Sequence, residues 1–186
     1  QVTVKNEELQ CKVIRTVLHS PVGNLEIFGC EKGLHEIKLP KMNELPNGAV
    51  EARDPRAAAL PVPLEQCVAW LHAYFCEPAR TSALPLPAFH HPLLLRASFT
   101  REVLWTLLRD VRFGEAVSYK QLAALAGNGN AARAVGGAMR SNPIPIIIPC
   151  HRVIRSSGDT GHYGAGHLMK QWLLSHEKQH KEELDG

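Results

Sequence analysis

Three short runs of β-branched and apolar residues lie near the start of the chain, at 12–19, 24–28 and 34–39. Turn residues separate the runs, which predicts three strands in an antiparallel meander. Residues 40–63 lack a hydrophobic period, and this predicts a long surface loop. A helical period follows, which predicts a helix over 64–75 that lies on the sheet; its apolar face consists of Leu64, Val68, Leu71 and Phe75.

Proline then interrupts the pattern. Three prolines fall within residues 84–92, which excludes regular structure there, and we place a domain boundary near residue 95. Beyond it, Ser98 or Thr100 caps a predicted helix that ends at Gly114. The apolar face of this helix consists of Val103, Leu104, Leu107, Leu108 and Val111.

Two shorter helices are predicted next. One begins at a Ser118 cap and runs through Leu125, and the other spans 131–140 after a turn at 127–130 that is rich in Gly and Asn. Two short helices joined by a four-residue turn have the outline of a helix-turn-helix.

Small residues dominate the last of these helices, which contains the adjacent pair Gly136 and Gly137. Glycine costs about 1 kcal/mol in a helix, so a reason for the pair is needed. A close approach to a narrow DNA groove is one explanation, and tight packing against another helix is the other. Arg133 would be an ordinary surface charge in the second case.

Composition narrows the class of protein. Of the 186 residues, 45% are apolar and 21% are charged, a balance typical of a soluble globular protein. No apolar run approaches the ~20 residues that a membrane-spanning helix requires, and the polar N-terminus lacks the apolar segment of a secretory signal. Five cysteines with no regular spacing indicate a reducing compartment rather than a disulfide framework.

Positive charge is concentrated in one block. The whole chain carries a formal charge of +3, whereas residues 96–155 alone contain nine basic and three acidic side chains. Such a block is expected of a surface that faces phosphates, although on charge alone a solvated basic face is an equally good interpretation.

The segment around Cys150 carries the strongest chemical signal. Prolines exclude a helix before it, and residues 146–148 predict a short buried strand that ends near the thiol. His151 and Arg152 follow directly, and a neighbouring imidazole or cation lowers the pKa of a thiol. Cys150 is therefore a candidate nucleophile, although a contact with His151 would need a bend in the chain or a bridging water.

Several segments form one specific pattern with this cysteine: Phe113-Gly-Glu115, Leu122-Ala-Ala-Leu-Ala-Gly127, Gly136-Gly-Ala-Met-Arg140, Pro149-Cys-His-Arg-Val153, Tyr163-Gly-Ala-Gly166 and Trp172-Leu-Leu-Ser-His-Glu177. Together they resemble the active-site region of the O6-alkylguanine-DNA alkyltransferases. Residues 20–23, 29–39 and 90–92 resemble the vertebrate members. The resemblance covers nearly the whole chain and leaves residues 40–63 and the termini poorly matched.

The resemblance implies an α/β (α+β) fold in two domains. Residues 1–95 would form a supporting, zinc-bearing domain with a small antiparallel sheet and a helix, which is ribonuclease H-like. Residues 96–186 would form a mainly helical, winged-helix-like domain that binds DNA and carries out the reaction. The implied function is DNA repair: the protein flips out O6-alkylguanine and transfers the alkyl group once, irreversibly, to its own Cys150.

The resemblance also assigns roles to residues. His151 would act through a water as the base for Cys150, Glu177 would orient His151, and Asn142 would support the site by hydrogen bonding. Tyr119 would donate a proton to the guanine ring, and Arg133 would fill the space left in the base stack. The implied contacts to double-stranded DNA, in the minor groove, are Thr100, Tyr119, Lys120, Asn128, Arg133 and Ser156.

Two positions depart from the vertebrate pattern. Lys120 replaces a Gln that mammalian relatives usually carry, so a phosphate ion pair is expected there. Gly164 replaces a small hydroxyl residue, which changes the polarity of the pocket.

A structural zinc is the cofactor that the resemblance implies, with no organic cofactor. Its ligands would be Cys11, Cys30, His35 and His90, because two thiolates and two imidazoles complete a tetrahedral site. Cys67, Cys76 and His91 are expected to be core or surface residues.

Three alternatives to this interpretation stay open: a non-catalytic lesion-binding protein of the same fold, a cysteine hydrolase that uses Cys150, His151 and Glu177, and a helix-turn-helix regulator. The expected partner is DNA and not a membrane, the expected state is a monomer, and the expected location is the nucleus.

Overall fold

The computed structural model describes residues 11–42, 59–157 and 163–185, with side chains described as far as Lys181. Its N-terminal part contains a three-stranded antiparallel sheet in the order β1-β2-β3, with bounds Ile14–Ser20, Gly23–Cys30 and Gly33–Lys38. The predicted meander is therefore confirmed. Most of the predicted surface loop, residues 43–58, lies outside the described residues.

Helix α1, Val62–Cys76, lies on the sheet as predicted. Its inward face is buried because large apolar side chains recur at helical spacing, and Leu64 and Leu71 are fully buried. The helix begins two residues before the predicted start. Proline is tolerated in its first turn, because N–H groups at that position have no hydrogen-bond partner within the helix.

The segment after α1 runs beside β3. A 3₁₀ helix, Pro78–Ala83, and a short helix α2, Pro92–Leu95, were not predicted. Between them the chain is irregular, as its prolines indicated, and Leu34 of β3 exchanges main-chain hydrogen bonds with Ala88 and His90. This pairing fixes the position of His90 against the sheet.

The C-terminal part is mainly helical, with bounds α3 Phe99–Asp110, α4 Tyr119–Leu125, α5 Ala132–Ser141 and α6 His167–Asp185. Ser98 rather than Thr100 caps α3, because its hydroxyl accepts the Arg101 N–H at 3.0 Å. Ser118 caps α4 as predicted, in a capping box with Gln121.

A two-stranded parallel pair, β4 Val117–Ser118 and β5 Val153–Ile154, was not predicted. Two-residue strands are too short for a hydrophobic period to reveal them. The pair joins the start of α4 to the chain that follows Cys150.

One hydrophobic core runs through both parts of the described chain, so the position of a domain boundary near residue 95 stays a prediction. Over the same described ranges, no helix is long and apolar enough to cross a membrane.

Candidate active site

The loop that leads to Cys150 is held in shape by its own hydrogen bonds. The side-chain amide of Asn142 donates to the Ile148 carbonyl at 2.9 Å, and its oxygen accepts the Ile144 N–H at 3.0 Å. Ile146 is buried with a φ of 73°, in a left-handed region that β-branched residues rarely adopt. The predicted strand was therefore wrong: the segment is buried but it turns instead of extending.

Cys150 begins a 3₁₀ turn that ends at Arg152. The Arg152 N–H donates to the Pro149 carbonyl at 2.9 Å, and this closes the turn. The turn supplies the bend that an extended chain lacked. As a result Cys150 lines a cleft, whereas His151 is fully buried.

The Cys150 side chain is buried, with a relative exposure of 5%. Burial raises the pKa of its thiol, while the neighbouring side chains of Asn142 and Tyr163 and the charge of Lys170 act in the opposite direction. The Tyr163 hydroxyl is buried beside the thiol, and none of the described atoms is placed to form a well-aligned hydrogen bond with it. The thiol is protonated at neutral pH, so it needs a base.

His151 is hydrogen-bonded to Glu177, with 2.5 Å between Nε2 and Oε2. Burial lowers the pKa of His151 and keeps its ring neutral. Because an ionised carboxylate can only accept, Nε2 carries the hydrogen and Nδ1 presents a lone pair. Nδ1 is buried and has no hydrogen-bond partner among the described residues. It is therefore the atom of this site that is able to accept a proton.

Glu177 is held by four residues. Besides His151, its carboxylate accepts hydrogen bonds from Arg152 Nε at 2.8 Å, from the Gly114 N–H at 3.1 Å and from the Tyr74 hydroxyl at 2.6 Å. Burial opposes ionisation of this carboxyl, but the charges and hydrogen bonds of His151 and Arg152 outweigh burial. They hold the pKa of Glu177 well below its usual range.

Sequence reasoning missed several residues of this arrangement, Tyr74 and Lys170 among them. Tyr74 belongs to the apolar face of α1, and nothing in its local pattern identifies a partner 103 positions away. Lys170 looks like a surface residue of a polar helix, yet it is fully buried and its Nζ donates to the Val153 carbonyl at 2.7 Å.

A cleft of about 320 Å³ opens at Cys150. Its walls come from both parts of the chain, because Ile37 and Leu39 line it together with Met139 and Ala165. Such a volume is typical of small-molecule sites. Gly164 also lines the cleft, and no described atom would lie within 4 Å of a Cβ at that position.

The predicted DNA-contacting residues lie at the surface. Lys120, Asn128, Arg133 and Ser156 are exposed, and Thr100 is half-buried. Each is therefore accessible to a nucleic acid.

Tyr119 is half-buried and close enough to Cys150 for the two groups to interact electrostatically. Burial raises the pKa of Tyr119, the nearby Cys150 acts in the same direction, and Arg155 and Arg140 act against them. The net increase keeps its phenol protonated and able to donate a hydrogen.

The glycines of α5 are not explained by packing within the described residues. A Cβ at Gly136 or Gly137 would contact only the flexible guanidinium of Arg140, at 3.6 and 3.9 Å. The core-facing positions of α5 are instead Val135 and Ala138. This leaves the close approach of an external molecule as the better explanation of the two.

The four predicted metal ligands come together at one end of the sheet, with their donor atoms within 4.8 Å of one another. Cys30 Sγ lies 3.2 Å from His35 Nε2 and 3.4 Å from His90 Nδ1. Cys11 Sγ lies 3.3 and 3.7 Å from the same two nitrogens, which are 3.3 Å apart.

These donors fit a zinc ion. Tetrahedral zinc with bonds of ~2.0–2.3 Å places its ligand atoms ~3.3–3.8 Å apart, close to the observed spacings. The remaining candidates do not join the cluster: Cys67 is buried in the core, Cys76 is exposed, and His91 accepts the Leu93 N–H at the start of α2.

Two family descriptions match the sequence. "6-O-methylguanine DNA methyltransferase, ribonuclease-like domain" matches residues 13–88, and "6-O-methylguanine DNA methyltransferase, DNA binding domain" matches residues 98–179. Together they span most of the chain.

Individual relatives agree with the family match. The methylated-DNA–protein-cysteine methyltransferases of Homo sapiens and Mus musculus are 59% and 57% identical to this chain, with 90% of this chain and 81% and 82% of theirs aligned. The crystal structure of Mycobacterium tuberculosis OGT in complex with DNA is similar in fold. Its TM-score is 0.68 at 31% identity, over 88% of this chain and 91% of that chain.

Proposed function

The chain belongs to the 6-O-methylguanine DNA methyltransferase family, and from this we propose that it repairs DNA by moving the alkyl group of O6-alkylguanine onto its own Cys150. The buried thiol of Cys150, next to the hydrogen-bonded pair of His151 and Glu177, supports this proposal above all. Within this family the chain acts as a methyltransferase whose acceptor is its own cysteine, so each molecule acts once.

The reaction begins with removal of the thiol proton. Nδ1 of His151 accepts this proton through a water, and Glu177 holds the ring by its other nitrogen. The thiolate of Cys150 then attacks the alkyl carbon, so that a carbon–sulfur bond forms while the bond from carbon to the guanine O6 breaks.

The electron pair of the broken bond passes to the guanine. The base takes up one proton from the Tyr119 hydroxyl. The proton that left the thiol then passes to the Tyr119 oxygen and restores the hydroxyl. The products are an ordinary guanine and a thioether on Cys150. Atoms and charge balance without an organic cofactor. The alkyl group is not readily released from the thioether.

The alkylated base must leave the duplex to reach Cys150, which lines the cleft. We propose that Arg133, exposed on α5, fills the space left in the stack, and that α4 and α5 act as a helix-turn-helix in the minor groove. The open glycine surface of α5 supports this assignment. Further contacts are assigned to Thr100, Lys120, Asn128 and Ser156, with Lys120 paired to a phosphate.

A structural zinc is proposed at Cys11, Cys30, His35 and His90. Bound there, it would link the segment before β1, the end of β2, strand β3 and the segment before α2. The cluster lies on the N-terminal sheet, and its role would be to stabilise the fold.

We also propose a domain boundary near residue 95, a monomeric state and a site of action in the nucleus, where the DNA substrate of a vertebrate-type repair protein is found.

Intact-protein mass spectrometry tests the proposed function. After incubation with an excess of an oligonucleotide containing O6-methylguanine, the protein should gain one methyl group, about 14 daltons, mapped to Cys150. Cys150→Ala should abolish the gain and retain DNA binding. Cys76→Ala, which removes an exposed thiol, is the matched control and should gain the methyl group normally.

Other outcomes would favour the alternatives. DNA binding without any mass gain would favour a lesion-binding protein or a regulator. Turnover of an ester or amide substrate would favour a cysteine hydrolase.

A further inference from the structure

Helix α6 holds Tyr74 of α1 at both of its ends. The Tyr74 hydroxyl donates to Glu177 Oε2 at 2.6 Å, and His176 Nε2 donates to the Tyr74 main-chain carbonyl at 2.7 Å. The Tyr74 ring is fully buried and lies against Trp70 and Phe113, with centroids 5.7 and 5.8 Å away. Ring, main chain and hydroxyl are therefore all fixed relative to Glu177.

The hydroxyl and the imidazole share one oxygen atom. Oε2 of Glu177 accepts the hydrogen of Tyr74 and also that of His151 Nε2. Arg152 Nη2 also donates to this oxygen, at 3.2 Å. The Tyr74 donor helps to fix the plane of the carboxylate and withdraws part of its negative charge. It therefore controls how strongly the carboxylate attracts the proton of His151.

We propose that Tyr74 is a positioning residue of the alkyl-transfer reaction: through Glu177 it orients His151 and limits the basicity of that imidazole. The inference rests on the proposed function, because it gives Tyr74 a part in activating Cys150. It also means that the N-terminal part of the chain completes the reactive centre. Tyr74 lies outside residues 98–179, which match the DNA-binding domain of the family.

Other charged and titratable groups also face His151 and Glu177, and Tyr74→Phe leaves them in place. Glu177 also meets Arg152, and His151 meets the charges of Arg152 and Lys170. Tyr163 lies against His151 with ring centroids 6.5 Å apart, and His176, which precedes Glu177 on α6, interacts with both Glu177 and His151. Burial, together with the charge of Glu177, raises the pKa of Tyr74 well above its usual range, so its hydroxyl remains a donor.

The test is Tyr74→Phe in the full-length chain, which keeps the ring and removes only the hydroxyl. Without this donor, Glu177 attracts the His151 proton more strongly and raises the pKa of the imidazole. We expect the acid limb of the pH–rate profile for methyl transfer to move up by ~0.5–1 pH unit. On the acid limb transfer should be ~3–10-fold slower, and the deficit should close as the pH rises to where His151 is neutral in both proteins.

The matched control is Val68→Ala, which weakens the core contact of the same helix without touching a polar group. It should lower the melting temperature and leave the pH–rate profile in place. Proton NMR gives a second readout, because the resonance of the His151 Nε2 hydrogen should shift in Tyr74→Phe and not in Val68→Ala.

If Tyr74→Phe does not fold, 3-fluorotyrosine at position 74 preserves the packing and makes the phenol a stronger donor. The acid limb should then move to lower pH. The inference is overturned if Tyr74→Phe, or the fluorinated protein, has the same profile as the wild type. The proposed function itself would fail differently, through absence of methyl transfer in the wild-type protein.

Discussion

The main-chain N–H of Ile37 donates to the carbonyl of Pro143 at 2.9 Å. This hydrogen bond joins β3, which carries the metal-cluster residue His35, to the loop that leads to Cys150. The two candidate sites of the molecule therefore share one strand, although the cluster donors and the thiol lie in different parts of the chain. A change in the order of β3 can therefore reach the loop through this hydrogen bond.

Removal of the proposed zinc should affect stability more than chemistry. A ligand present at 100 times its Kd adds ~2.7 kcal/mol, which corresponds to a loss of ~5–10 °C in melting temperature on chelation. Methyl transfer at saturating DNA should fall less than ~3-fold, because no cluster residue contacts the thiol. Thermal melting and single-turnover transfer, with and without chelator, measure the two effects.

The control for chelation is a pair of cysteine variants. Cys30→Ser should melt at the lower temperature even without chelator, and chelator should not lower its melting temperature further. Cys76→Ser should behave like the wild type. A loss of transfer larger than the loss of stability would contradict a structural role and indicate that the metal takes part in the reaction.

Substitution of Gly136 by Ala should separate stability from DNA-dependent activity. The free energy of unfolding should rise by up to ~1 kcal/mol, because alanine favours the helix and the added Cβ meets only the Arg140 side chain. Transfer from duplex DNA should fall ~10-fold, since the methyl group enters the surface assigned to the minor groove. Transfer from free O6-benzylguanine should not change; an equal loss with both substrates would place the defect in the reactive centre.

Arg133→Ala should slow transfer from duplex DNA far more than transfer from free O6-benzylguanine. Arginine at this position is assigned to the space that the flipped base leaves, and a free base needs no flipping. Arg109→Ala is the matched control, because it removes the same charge from an exposed residue that already pairs with Asp110. Similar losses in both variants would reduce the role of Arg133 to general attraction of DNA.

The reactivity of Cys150 should rise with pH over the range 7–9. Burial is the main reason that its thiol pKa is raised, so the thiolate fraction grows throughout this interval. Asn142 acts against burial, and Asn142→Ala should therefore raise the pKa further and lower the rate at each pH. Mass-resolved labelling with iodoacetamide measures this, with Cys150→Ala as the blank. A rate that is constant across the interval would show that the thiol is already ionised at neutral pH.

Local patterns predicted much of the fold. The three strands, α1, α4 and α5 lie close to their predicted bounds, because each has its own hydrophobic period and its own capping or turn residues. Helix α3 begins as predicted but ends at Asp110, four residues before the predicted end at Gly114. The failures have local causes too. The apolar residues 146–148 resembled a strand, but proline before Ile146 and hydrogen bonds from Asn142 fold them into a turn.

For the candidate site, the sequence determined which chemical groups are present. It singled out Cys150, His151 and Glu177 by motif, and it named four metal donors that the structure brings together. Their individual roles stay predictions. What only the tertiary structure decided is how these groups are oriented and which others join them, such as Tyr74 and Lys170. The physical reason is that burial and hydrogen bonds between distant segments set the proton affinity of each group, and neither can be read from its neighbours in sequence.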